Sequence, residues 1–100
     1  MELKTGMRLR SVADGTEVIV VRAAGEVDLR CGGHPMVPHD QAVMPEGVLP
    51  GFEGETIIGK RYADQAVGIE LLCTRAGRAG LSLGEAMLPV MGTKPLPASD

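Results

Sequence analysis

The stretch Gly6-Met7-Arg8-Leu9-Arg10-Ser11-Val12-Ala13-Asp14-Gly15-Thr16-Glu17-Val18-Ile19-Val20-Val21-Arg22-Ala23 decides the fold, because a version of it returns 53 residues later, from Gly59 to Ala76. Gly6, Arg8, Ala13, Gly15, Glu17, Arg22 and Ala23 fall on Gly59, Arg61, Ala66, Gly68, Glu70, Arg75 and Ala76. Seven identities stand where composition alone gives about one or two. Val18-Ile19 lies over Leu71-Leu72. After a one-residue gap, Leu29 meets Leu81 and Gly32 meets Gly84. The pattern predicts a duplicated unit.

Each copy reads as a short β meander. In the first, residues 7–12 form a strand and Ala13-Asp14-Gly15 a turn, Asp-Gly being a strong two-residue hairpin signal. Residues 16–22, rich in β-branched side chains, give the clearest strand, and 27–31 alternate with period two. The second copy supplies strands over 60–65, 69–75 and 80–83. Between them, residues 38–55 carry Pro38, Pro45 and Pro50, which argue against a long helix or a central strand. Asp40 could cap at most one helical turn there. The predicted organisation is one domain: repeat one over 6–38, a Pro/Gly-rich acidic connection over 39–55, repeat two over 56–91, and an extended tail over 92–100. The predicted class is all-β, either a small barrel or a two-sheet sandwich, with the two meanders related by a pseudo-two-fold axis. A barrel is favoured because closure removes exposed strand edges.

Alternation sorts the faces of the clearest strands. Val18 and Val20 share one face with Ile69, Leu71 and Cys73 of the other copy, while Ile19, Val21 and Leu72 lie on the opposite one. An outward face is usually polar, so a half-apolar one predicts a covering layer or a partner. Val43, Met44, Val48, Leu49 and Phe52 of the connection are the apolar residues available to cover it from within the chain.

The formal charge is −3, and the excess sits in residues 31–60, where Asp40, Glu46, Glu53 and Glu55 face Lys60 alone. With Phe52 and Tyr62 as the only aromatics and no basic run, the sequence argues against nucleic acid as a partner. No apolar run approaches the ~20 residues that span a bilayer, and Met1–Gly6 has no apolar segment after its charges, so no membrane partner and a cytoplasmic location are expected. Cys31 and Cys73 are then expected to be reduced and unpaired.

Cys31, His34 and His39 fall within nine residues and form the candidate metal set, suited to zinc, copper or iron. The Cys-x2-His spacing is similar to one loop of the blue copper proteins. This chain departs from that loop in carrying His39 where those proteins carry Met, and in having no upstream His. Against a metal, Cys31 continues the inward face of Val27 and Leu29, and its stronger reading is a small core residue. Cys31 and His34 could also form a thiolate–imidazolium pair if the strand end were exposed. No nucleophile elbow or phosphate loop is present. The sequence therefore predicts a non-enzymatic protein-interaction module, an accessory or self-associating subunit with Ile19, Val21 and Leu72 at its interface. The alternative is a transition-metal protein built on Cys31, His34 and His39.

Overall fold

The computed structural model describes residues 1–23 and 25–90 of the chain. The expected tail over 92–100 lies outside the described residues. The expected all-β class holds: the described residues form strands and turns and no helix, so no helix is long and apolar enough to cross a membrane. In chain order the strands are β1 (Glu2–Leu3), β2 (Arg8–Arg10), β3 (Glu17–Arg22), β4 (Gly25–Glu26), β5 (Leu29–Cys31), β6 (His34–Pro35) and β7 (Val37–Pro38). After the connection come β8 (Glu53–Thr56), β9 (Arg61–Asp64), β10 (Ile69–Arg75), β11 (Gly77–Ala79), β12 (Leu81–Leu83) and β13 (Ala86–Met87).

These strands pair antiparallel into separate sheets. The largest has the order β7-β2-β3-β10-β9, and a second runs β13-β12-β5-β6. Two short ladders, β1-β4 and β11-β8, complete the set. Each ladder has two free ends among the described residues, so the closed barrel expected from the sequence is not formed. Strands of mostly two to four residues are too short to carry the stagger that closure of a ladder requires.

Both large sheets are sewn across the middle of the chain. β3 of the first half pairs with β10 of the second, and β5 pairs with β12. In the β3–β10 ladder, Glu70 opposes Arg22 and Leu71 opposes Val20, which leaves Val21 as an extra residue. Cys73 opposes Val18 and Arg75 opposes Glu17, which leaves Thr74 as another. Both are β-bulges, which sharpen the local twist. Turn hydrogen bonds recur at the same offset: Gly6 N–H donates to Val20 O as Gly59 N–H does to Cys73 O. At an offset of 52, past the one-residue gap, Met36 N–H donates to Leu29 O as Leu88 N–H does to Leu81 O.

The inward faces meet in one core. Leu9, Val18, Val20, Ile69, Leu71 and Cys73 come from the five-stranded sheet, and Leu29, Cys31 and Leu81 from the four-stranded one. All are buried as the alternation predicts. Each large aliphatic side chain buried in this way is worth ~1.5–3 kcal/mol, which compensates for the scarcity of aromatics.

The β2–β3 turn departs from the sequence reading. Asp14-Gly15 does not close a two-residue hairpin. Ser11 N–H donates to Thr16 O at 2.9 Å and closes a wider loop. Side chains set its shape: Ser11 Oγ accepts from Ala13 N–H (2.9 Å), and Asp14 Oδ1 accepts from Thr16 N–H (3.0 Å) and Thr16 Oγ1 (2.7 Å). These local bonds compete successfully with the primed turn. Arg10 therefore stands directly opposite Glu17. The connection also lacks the single helical turn that Asp40 was expected to cap. Gln41 N–H donates to Pro38 O instead.

Candidate interaction surface

The outward face of the five-stranded sheet is built by the residues that alternate with the core. Arg8, Ile19, Leu72 and Arg61 stand side by side across β2, β3, β10 and β9, each directly opposite the next. On one side of this row, Arg10 and Arg75 flank Glu17. On the other, Arg22 and Ala63 flank Glu70. The result is a central apolar pair framed by charge.

The charges are partly matched. Arg61 Nη1 donates to Glu70 Oε2 at 2.9 Å, and Arg75 Nη1 lies 3.5 Å from Glu17 Oε2. His39 Nε2 approaches Glu17 Oε1 at 3.3 Å from the sheet edge. A shallow pocket of about 280 Å³ lies between Arg8, Ile19, His39 and Thr74. Each Glu is mostly shielded while each Arg head stays wet, so the face presents cations outward.

Of the predicted interface residues, Ile19 and Leu72 are half-buried and directly paired, and Val21 is the half-buried bulge beside them. The connecting segment meets this face at its β2 edge, where His39 N–H donates to Arg8 O and Arg10 Nη1 donates to Gln41 O at 3.4 Å, and its other hydrogen bonds run elsewhere. Glu46 and Gly47 donate to Val12 and Ala13, Leu49 to Gly32, and Phe52 O accepts from Gly80. Val48 packs against the core, while Met44 is 82% exposed.

Cys31, His34 and His39 are not brought together. Cys31 is fully buried, its Sγ 3.8 Å from Ala79 O, and burial pushes its thiol up to about 11. His34 sits across the β5–β6 hairpin from Cys31, but its Nε2 donates to Gly47 O at 3.0 Å. His39 lies on the other sheet's edge against Glu17. No three His, Cys, Asp or Glu side chains converge among the described residues. A buried protonated thiol also cannot serve as the thiolate of a Cys31–His34 pair. Cys73 is likewise free and buried, its thiol raised by burial, and it donates to Arg75 O at 3.2 Å.

Two features escape the sequence reading. Ile57 and Ile58 are exposed, and with Ala76, Gly77 and Arg78 they line a groove of about 480 Å³. The signal was present: at the repeat offset they lie over Lys4 and Thr5, a turn in which side chains face water. The second is the gathering of five arginines on one face, which depends on the pairing of β3 with β10 and not on any local run. Comparison with family models, with curated proteins and with solved structures gives no match.

Proposed function

We propose that the chain is a non-enzymatic protein-interaction module, a small accessory or self-associating subunit, and that the outward face of the five-stranded sheet is its contact surface. The observation that carries this reading is the half-buried Ile19–Leu72 pair at the centre of the outward sheet face, framed by charged side chains. An apolar centre with a charged rim is the usual anatomy of a contact patch. The candidate residues for acid–base or nucleophilic chemistry are dispersed by comparison.

The same proposal includes the architecture: two copies of one meander related by a pseudo-two-fold axis between β3 and β10. The paired bulges at Val21 and Thr74 and the backbone bonds repeated 53 and, past the gap, 52 residues apart support it. On this reading the row Arg8–Ile19–Leu72–Arg61 is a palindrome, and its centre lies on the axis.

The test is the native mass of the chain in extracts of the cells that make it, followed by size-exclusion chromatography and immunodetection. The wild type is expected to elute well above its 10.5 kDa monomer mass. The Ile19→Asp/Leu72→Asp variant, verified as folded by circular dichroism, is expected to elute as a monomer. A wild type already monomeric in the extract would refute the interaction reading.

A further inference from the structure

The outward face and the segment that follows β7 have opposite charge and matching pattern. Five of the chain's seven arginines stand on the face with only Glu17 and Glu70 among them, although the whole chain is acidic. The side chains of Arg8 and Arg22 make no ion pair among the described residues. Across the face the order is cation, apolar, apolar, cation. The segment Asp40-Gln41-Ala42-Val43-Met44-Pro45-Glu46 reads as anion, apolar, anion, and lies in the stretch that holds the whole acidic excess. Asp40 and Glu46 are exposed, with only His34 Nδ1, at 3.9 Å, near the Glu46 carboxylate. Met44, at 82%, is the most exposed large apolar side chain described, so it does not rest on its own molecule's face.

We infer that the face receives residues 40–46 of a second copy of this chain, with Met44 on the Ile19–Leu72 pair and the two carboxylates against the flanking arginines. The inference rests on the interaction-module reading and names its partner. The dimensions agree. Three interstrand steps separate Arg8 from Arg61 by about 14 Å, and the six residue-to-residue steps from Asp40 to Glu46 reach at most about 20 Å when extended. Stacking two such faces directly would set arginine against arginine, whereas a segment laid on a face sets opposite charges together. In a two-fold pair each copy gives one segment and one face, so the contact is made twice and the assembly closes.

Sedimentation velocity of the purified full chain over a concentration series tests this. The expected result is a reversible dimer whose dissociation constant rises about tenfold or more from low to high salt. Met44→Asp is expected to be monomeric with an unchanged circular dichroism spectrum, since the fold makes little use of that side chain. Charge exchange supplies the second arm. Arg8→Glu/Arg61→Glu and Asp40→Arg/Glu46→Arg should each be monomeric alone and should form a heterodimer when mixed. A wild type monomeric at every concentration, a dimer untouched by Met44→Asp, or a mixture that stays monomeric would each overturn the inference. If the purified chain is monomeric while the extract still holds a complex lost on Ile19→Asp/Leu72→Asp, the face binds a different protein. The second-copy inference then falls and the interaction reading stands.

Discussion

Asp14 ties two distant parts of the chain together. Its Oδ1 accepts from the backbone and hydroxyl of Thr16, and its Oδ2 accepts from Arg78 N–H at 2.8 Å. Burial works against the carboxylate, but the Thr16 hydroxyl and the N–H groups of Thr16, Arg78 and Ala79 outweigh it and hold Asp14 below the usual carboxylate range. Gly77 lies so close that a β-carbon there would collide with Thr16 Oγ1 and Asp14 Oδ2. Asp14→Ala is expected to cost about 1–3 kcal/mol in urea unfolding, because Thr16 and Arg78 lose their acceptor. The sign of the pH effect follows from the lowered pKa. The folded state holds this proton less tightly than the unfolded chain, so Asp14 stabilises fully above the unfolded value of 3.8 and progressively less as the pH falls through its lower folded value. The wild type should therefore lose stability in that acid window more steeply than Asp14→Ala. Equal acid sensitivity of the two would assign the loss to other carboxylates.

At the scale of elements, the β5–β6 hairpin shows what local sequence can specify. Cys31 and His34 pair across Gly32-Gly33, and both glycines have positive φ, 65° and 88°. A two-residue type I′ turn needs that conformation at both central positions. Around Gly33 there is no room either: a β-carbon would sit 2.8 Å from Leu49 Cδ1 and 3.0 Å from Phe52 Cδ2. Gly51 also has positive φ, 87°, but open space around it. Both Gly→Ala changes incur the left-handed backbone penalty of about 1–2 kcal/mol, and only Gly33→Ala adds the clash. Gly33→Ala should thus lower the melting temperature more than Gly51→Ala, and a reversed order would show that the turn packs differently. The Gly32-Gly33 pair carried the signal for this hairpin but went unread in the sequence, whereas β-branched alternation announced β3. The β2–β3 turn was misread because the Ser11 and Asp14 side chains, not Asp-Gly geometry, fix its backbone. Closeness in sequence across a hairpin and an edge strand is not closeness of side chains: Cys31 turns inward while His34 and His39 find separate partners. Ile19 and Leu72 could be placed outward from alternation alone. The arginines around them could not, since only the pairing of distant strands gathers them.

For the whole molecule, the decisive fact is that its two halves do not own separate cores. β3 and β5 find their central partners in β10 and β12, and the inward side chains of both halves enter one cluster. Either half alone would expose Leu9, Val18, Val20 and Leu29, or Ile69, Leu71 and Leu81, with nothing to pack against them. A repeat that cannot bury its apolar face by itself gains stability only from its neighbour. The connection between halves has a natural point for a break, because residues 42–45 make no backbone hydrogen bond with the rest of the described chain. Chain ends are tolerated where the backbone carries no such bonds. Fragments 1–43 and 44–100 made separately should each be unfolded by circular dichroism and by amide chemical-shift dispersion. Mixed at equal concentration, they should regain the β-sheet spectrum of the intact chain with a concentration-dependent midpoint, as an association must. The mixed fragments should be less stable than the intact chain, since folding then carries the cost of bringing two molecules together. An isolated fragment that folds would show that one half is self-sufficient and that the pairing of β3 with β10 joins two finished units. Fragments that fail to combine would mean that the connection is needed to set the register of β3 against β10.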